Sequence, residues 1–152
     1  MIIRKATEAD TESLVKLRIR QLIDEGYSLK NENKEMIFNE IKSYFQQNIK
    51  TDRYISWIAI AEEKIVATSG LCFFRLPPSF GNPSGKIAYL TSIYTVPAYR
   101  KRGLATNLIQ RMIVISKEQG YTVIRLHASE AGKSLYVKLG FRDIENDMIL
   151  KI

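Results

Sequence analysis

Apolar residues recur along the chain in two rhythms, and the change from one to the other organises it. After a short β-rich opening, "MIIRKA", the apolar positions Leu14, Val15, Ile19, Leu22 and Ile23 fall three or four apart. That stripe predicts an amphipathic helix, with Gly26 placed to stop it. Ile37, Ile41, Tyr44 and Phe45 predict a second helix ending before "KTDR". From Tyr54 the pattern becomes that of strands: "YISWIAIA" and "KIVATSGLCFFRL" flank the polar turn "EEK", which predicts an antiparallel hairpin. "PPSFGNPSG" holds three of the four prolines and reads as a loop between strands. "KIAYLTSIYTV" is the next strand, halted by Pro97, which has no amide hydrogen for a ladder.

Helical periodicity returns at Leu104, Leu108, Ile109, Met112, Ile113 and Ile115 and ends at Gly120. "YTVIRLH" then predicts a strand, "SEAGKSLYVKLG" a short helix, and "FRD" with "DMILKI" closing β segments. The order strand, basic turn, helix, strand is a βαβ unit, whose two strands should run parallel. No internal repeat or low-complexity tract interrupts these elements.

A chain of 152 residues, 45% of them hydrophobic, suffices for one sizeable core, so a single domain over residues 1–152 is expected. The N-terminus is charged within four residues and no stretch approaches the roughly 18 apolar residues of a membrane span, so a cytoplasmic location is the expectation. With one cysteine, Cys72, and one histidine, neither an intrachain disulfide nor a Cys/His zinc cluster can form, and no metal is expected. The net charge of +7 is segregated rather than spread. Lys64 to Lys117 contains eight lysines and arginines and no acid; the other 15 cations face 16 anions, a balance of −1. Such a block points to an anionic ligand.

Within that block, "VPAYRKRGLATNLIQRM" crowds Arg100, Lys101 and Arg102 at a helix start, where the peptide dipoles already present positive charge. Gly103 and Ala105 leave the backbone approachable, and the first amides of any helix lack intrahelical acceptors. Together these features make an anion cradle. Charge-assisted hydrogen bonds contribute about 1.5–3 kcal/mol each, so the like-charge crowding is expected to be tolerable only if a pyrophosphate-like dianion settles there.

The run "RKRGLA", Arg100 to Ala105, resembles the R/Q-x-x-G-x-G/A signature of the GCN5-related N-acetyltransferases, and "SLYVKLGF", Ser134 to Phe141, is similar to that family's second hallmark. The resemblance spans essentially the whole chain in element order. It implies an α/β (mixed α+β) acyl-CoA N-acyltransferase fold: a mostly antiparallel sheet, helices on both faces, and a splayed parallel pair formed here by "LTSIYTV" and "YTVIRLH". It further implies acetyl-CoA as cosubstrate, with its pantetheine arm on the main chain of Ile93, Tyr94 and Thr95. Its pyrophosphate would lie on the amides of Lys101, Arg102, Gly103, Leu104, Ala105 and Thr106. Arg100 opens the motif and Ser129 stands where many relatives carry asparagine; both are counted among the cofactor contacts. Tyr136 would protonate the departing thiolate. Some relatives carry a glutamate base where this chain has Ile124, so the base stays open among His127, Glu130, Asp24, Glu25, Glu32 and a water relay. In such a family the acceptor pocket is built by the first two helices and variable loops, here roughly Thr7 to Lys50 and Leu76 to Gly85. The acceptor is an amine on a small molecule or peptide that the sequence does not specify. Homodimers are common in the family, though no interface is readable here.

Other readings compete at single positions. Tyr136 could simply pack its ring, Cys72 sits in the apolar run "GLCFF" as a core residue, and Trp57, Phe73 and Phe74 suit packing. "HASEAGKS" looks like a phosphate loop of the G-x-x-x-x-G-K-[ST] type, but His127 replaces its first glycine. The basic block also suits a nucleic-acid-binding module without catalysis. Its cations, however, fall at helix-start and loop positions and do not alternate with aromatics, so no nucleic acid is expected.

Overall fold

The computed structural model describes residues 1–28, 33–144 and 147–152. Five strands form one sheet in the order β1 (Ile2–Lys5), β2 (Tyr54–Ala61), β3 (Lys64–Arg75), β4 (Lys86–Thr95) and β5 (Ile124–Leu126). All neighbours are antiparallel except β4 and β5, which are parallel. The predicted hairpin closes through Glu62 and Glu63, both left-handed at φ 51° and 61°, as the tight turn between twisted strands requires.

Alternation along β2 sends its side chains to two cores. Tyr54 and Ile58 pack with Leu14 and Val15 of α1 (Thr11–Asp24) and Phe45 of α2 (Lys34–Asn48). On the opposite face, Ile55 packs with Ile109 and Met112 of α3 (Leu104–Glu118), and Ala59 with Leu104 and Leu108. The last helix, α4 (Glu130–Lys138), places Leu135 and Tyr136 against the α3 side. Helices therefore cover both faces, and no helix among the described residues is long and apolar enough to cross a membrane.

Three expectations are corrected. The strand expected over "YTVIRLH" is only Ile124–Leu126, because β4 offers it just three partners. The closing β segments do not form: neither "FRD" nor "DMILKI" is a strand, and Met148, Ile149, Leu150 and Ile152 are exposed. β propensity expresses itself only where a neighbouring strand and a packed face exist, and no described strand pairs with this segment. Ile23, expected on the buried stripe of α1, is half exposed, while Gln21 takes a buried position on that helix.

Candidate active site

The site begins as an irregularity in β4. Thr68 of β3 pairs with Tyr94 and Gly70 with Thr91, so Ser69 alone faces both Ser92 and Ile93. The extra residue is a β-bulge, and Ser92 absorbs it at φ 52°. A bulge bends and twists its strand, and the ladder to β5 stops just before it: the last pair is Leu90 with Leu126. From Thr91 to Thr95 the edge of β4 nearest β5 has no strand partner among the described residues. The two parallel strands thus part, and Ile93, Tyr94 and Thr95 border a cleft of about 1130 Å³.

Beyond Thr95 the chain makes a single helical turn at Pro97–Tyr99 and enters α3 through two left-handed residues, Lys101 at φ 59° and Gly103 at φ 76°. The first α3 amide with a backbone acceptor is that of Asn107, which donates to Gly103 O at 3.0 Å. Among the described residues, none of the amides from Lys101 to Thr106 has a backbone partner. Side-chain absence at Gly103 matters here, since a Cβ would meet no protein atom within 4 Å and would project into open space at the helix mouth. Lys101, Gly103, Leu104, Ala105 and Thr106 all border the cleft.

The three cations of this turn behave differently from one another. Arg100 donates to Asp24 Oδ2 at 2.9 Å and to Thr95 O at 3.0 Å, with its guanidinium over the Tyr94 ring. Arg102 turns back to Ala98 O at 3.1 Å and over the Tyr99 ring, so its side chain does not border the cleft. Only Lys101 has neither an ion pair nor a stacking partner among the described residues. The expectation that a bound dianion is needed to tolerate all three is therefore corrected: the protein itself engages two of them.

Across the cleft stands Tyr136 on α4. Its ring meets Phe141 edge-on with centroids 5.8 Å apart and lies over Gly132, where a Cβ would come within 3.1 Å of Cε2. Burial, with the charge of Glu25 adding to it, pushes the phenol up to about 12. Tyr136 is accordingly a protonated donor throughout the neutral range. Ser129 is the N-cap of α4, its carbonyl accepting the amides of Gly132 and Lys133, both at 3.0 Å. "HASEAGKS" is thus a strand end followed by an ordinary helical turn, and Lys133 pairs with Asp143 at 3.1 Å. His127 and Glu130 are exposed at the cleft rim. Cys72 lies away from the cleft, sharing a hydrogen bond of 3.2 Å with the Tyr44 hydroxyl, and burial raises its thiol, as suits a packed residue.

The remaining wall comes from α1 and the residues after it. Asp24 Oδ2 accepts both the Tyr94 hydroxyl at 2.8 Å and Arg100, which together hold its carboxyl below the usual range. Arg18, Gln21, Glu25 and Tyr27 also face the cleft, and Tyr89 faces it from β4. Of the two segments expected to build the pocket, only the first contributes; none of residues 76–85 borders the cleft. Sequence reasoning missed Arg18, Gln21, Ser92 and Gly132. The spacing of Arg18, Gln21 and Glu25 along one helix was a usable signal; nothing in "YLTSIYTV" announces a bulge. Glu32 lies outside the described residues.

Residues 17–141 match the family model described as acetyltransferase (GNAT) family. The chain belongs to that family. The GNAT chain is 34% identical to a predicted acetyltransferase from Clostridium acetobutylicum whose crystal structure is with acetyl-CoA, at a TM-score of 0.92 over 99% of this chain and 95% of that one. A GCN5-related N-acetyltransferase from Ralstonia eutropha JMP134 shares the fold at a TM-score of 0.90 and 22% identity, over 99% and 97% of the two chains. Among curated proteins, the glucosamine 6-phosphate N-acetyltransferase of Trypanosoma brucei brucei is 30% identical over 89 residues, 59% of this chain and 58% of that enzyme. A probable glucosamine 6-phosphate N-acetyltransferase 2 of Oryza sativa subsp. japonica is 30% identical over 83 residues, 55% and 48% of the two chains. The GNAT chain thus matches about half the length of these curated relatives.

In this GNAT member Ile124 pairs with Ala88 and packs in the α3-side core, so the position offers the cleft no base. Asp24 is occupied by Tyr94 and Arg100. Among the described candidates, Glu25, Glu130 and His127 are the ones that border the cleft without an ion pair.

Proposed function

We propose that the protein transfers the acetyl group of acetyl-CoA to a primary amine by direct attack, both substrates being bound at once. One observation carries this reading: a run of six amides without backbone acceptors, five of whose residues border the cleft, and an open strand edge face the same space as a protonated phenol. The amides of Lys101 through Thr106 suit a pyrophosphate, with Lys101 adding its free charge. Ile93, Tyr94 and Thr95 suit an extended amide-bearing arm laid along β4, and Ser129 stands at the mouth of α4 on the opposite side.

The step follows from that arrangement. A deprotonated amine attacks the carbonyl carbon of the thioester, and an amide of the parted β4 edge stabilises the developing oxyanion. The C–S bond breaks as the tetrahedral intermediate collapses, Tyr136 gives its proton to the thiolate, and the amine's proton leaves to a carboxylate or to water. A thiolate, whose conjugate acid lies at about 8.5, is a weaker base than the phenolate of a group held at about 12, so this transfer runs uphill and is completed when a proton released from the amine restores the phenol.

Transfer to an amino sugar phosphate is the acceptor reading favoured by the curated relatives, and glucosamine 6-phosphate belongs in any first panel of amines. The rival reading, a nucleic-acid module, loses support because Arg100 and Arg102 are engaged by protein groups and cannot both reach a backbone phosphate unchanged. The decisive experiment incubates purified protein with acetyl-CoA and the amine panel, follows thiol release, and weighs the product by mass spectrometry. An acetylated amine supports the proposal. Thiol release with no acetylated product, or none at all, overturns it.

A further inference from the structure

Arg18 and Gln21 of α1 and Glu25, the C-cap that follows it, stand at positions i, i+3 and i+7 and all border the cleft. Gln21 is only 7% exposed. Its Oε1 accepts from Arg18 Nη1 at 3.1 Å, and its Nε2 donates to Glu25 Oε1 at 2.9 Å. A buried carboxamide therefore holds a cation and an anion apart at a set spacing, one amide group and two hydrogen bonds long. Among the described residues neither Arg18 nor Glu25 has an ion pair, whereas neighbouring Asp24 is taken by Arg100. Arg18 is moreover partly buried. Leaving a guanidinium partly desolvated without a carboxylate is unfavourable for the empty protein. A purely structural role would be better met by a direct Arg–Glu pair at four-residue spacing, which this arrangement avoids.

We infer that this face of α1 is a two-point receptor for a zwitterionic acceptor: its ammonium docks on Glu25 and its acidic group, carboxylate or phosphate, docks on Arg18. Glu25 and Tyr136 border the same cleft, so an ammonium held on Glu25 shares that space with the phenol. The acidic group then lies one helical turn or two back toward Arg18. The proposal rests on the acetyl-transfer reading for the fate of the amine, but docking does not require transfer. Selectivity of this kind arises because an amine lacking the acid leaves Arg18 unpaired, while an acid lacking the amine leaves Glu25 unpaired.

The test is calorimetric binding to the protein saturated with CoA, which carries no acetyl group, so that nothing turns over. Two series, linear ω-amino acids and aminoalkyl phosphates of two to six methylenes, are each compared with the plain alkylamine of matching length. At least one acidic series should bind about tenfold or more tightly than its matched amine, and the series that does so identifies carboxylate or phosphate as the partner. Arg18→Met, which keeps the aliphatic stem, should erase that advantage while leaving plain-amine affinity within about twofold; Arg18→Lys should retain part of it. If Arg18→Met does not fold, Arg18→Gln reads the same advantage. Equal binding of acidic and plain amines, or an advantage that survives loss of Arg18, overturns the inference. Acetyl transfer to the same compounds is read separately: selective docking without transfer sinks the enzyme proposal alone, and equal docking with efficient transfer sinks the receptor alone.

Discussion

One wall of the cleft, from Ile93 through Thr106, offers main chain; the wall that adjoins it through Asp24, from Arg18 to Tyr27, offers side chains. The first wall acts through groups that every residue possesses, so what its sequence must supply is permission: a bulge at Ser92, a left-handed glycine at 103, small residues behind it. The second wall acts through identity, because replacing Gln21 or Glu25 changes the chemistry directly. The contrast teaches where variation is tolerated. Backbone walls resist substitutions that add a Cβ or change φ and ignore most others, whereas side-chain walls can be rewritten one residue at a time without disturbing the fold.

Tyr136→Phe is the severest test of this division, because the proposed step uses that side chain and neither wall. Turnover should fall by about 10²–10⁴, with CoA affinity held within about twofold in calorimetry; full turnover would remove the phenol from the step. Next in size is Gly103→Val, which places a β-branched residue at φ 76° and a side chain in the helix mouth. CoA affinity should drop about ten- to a hundredfold, as expected for losing one or two charge-assisted hydrogen bonds. If it does not, the main-chain wall is not where phosphates bind.

Gly132→Ala separates stability from rate. Alanine favours the helix by up to about 1 kcal/mol, yet its Cβ would stand 3.1 Å from the Tyr136 ring and 3.2 Å from Ser129 Oγ. An unchanged or higher melting temperature with turnover reduced about three- to tenfold is expected, and kinetics unaffected by the substitution would show that the ring's seat is unimportant. The smallest effect belongs to Asp24→Asn. Bonds from the Tyr94 hydroxyl and then Arg100 lower the Asp24 pKa in the folded state, so its contribution is present above the unfolded carboxylate value and fades as pH falls through the folded one. Urea midpoints measured from pH 5 down to pH 2.5 should decline slightly less in the variant; identical slopes would mean the carboxyl does not join the two walls energetically.

These outcomes also separate what could be read from the sequence from what could not. Helices α1, α2, α3 and α4, the β2–β3 hairpin and the halt at Pro97 follow from periodicity and turn chemistry, which are local properties. The glycine turn and Tyr136 carry family motifs, so they too were legible. What escaped depends on distant partners. β5 is short because β4 turns away from it, and the apolar tail from Met148 to Ile152 forms no strand because no described neighbour receives it. Likewise, the engagement of Arg100 by Asp24 joins residues 76 positions apart, a pairing no local pattern encodes. Gln21 was hidden by its own chemistry, a polar residue occupying a buried position on a stripe that reads as apolar.

The doubled residue opposite Ser69 has a consequence for how such a cleft could arise or vanish. Leu90 ahead of it and Ile93 after it both pack toward α3, and Tyr94 reaches Asp24 on the other side. Excising Ser92 would therefore leave every later side chain on its present face and merely restore an uninterrupted ladder with β3. With the kink gone, β4 would be free to run alongside β5 past Leu126, zipping shut the space where two reactants must meet. A single codon's deletion would convert this catalyst-shaped sheet into an inert one of nearly the same composition.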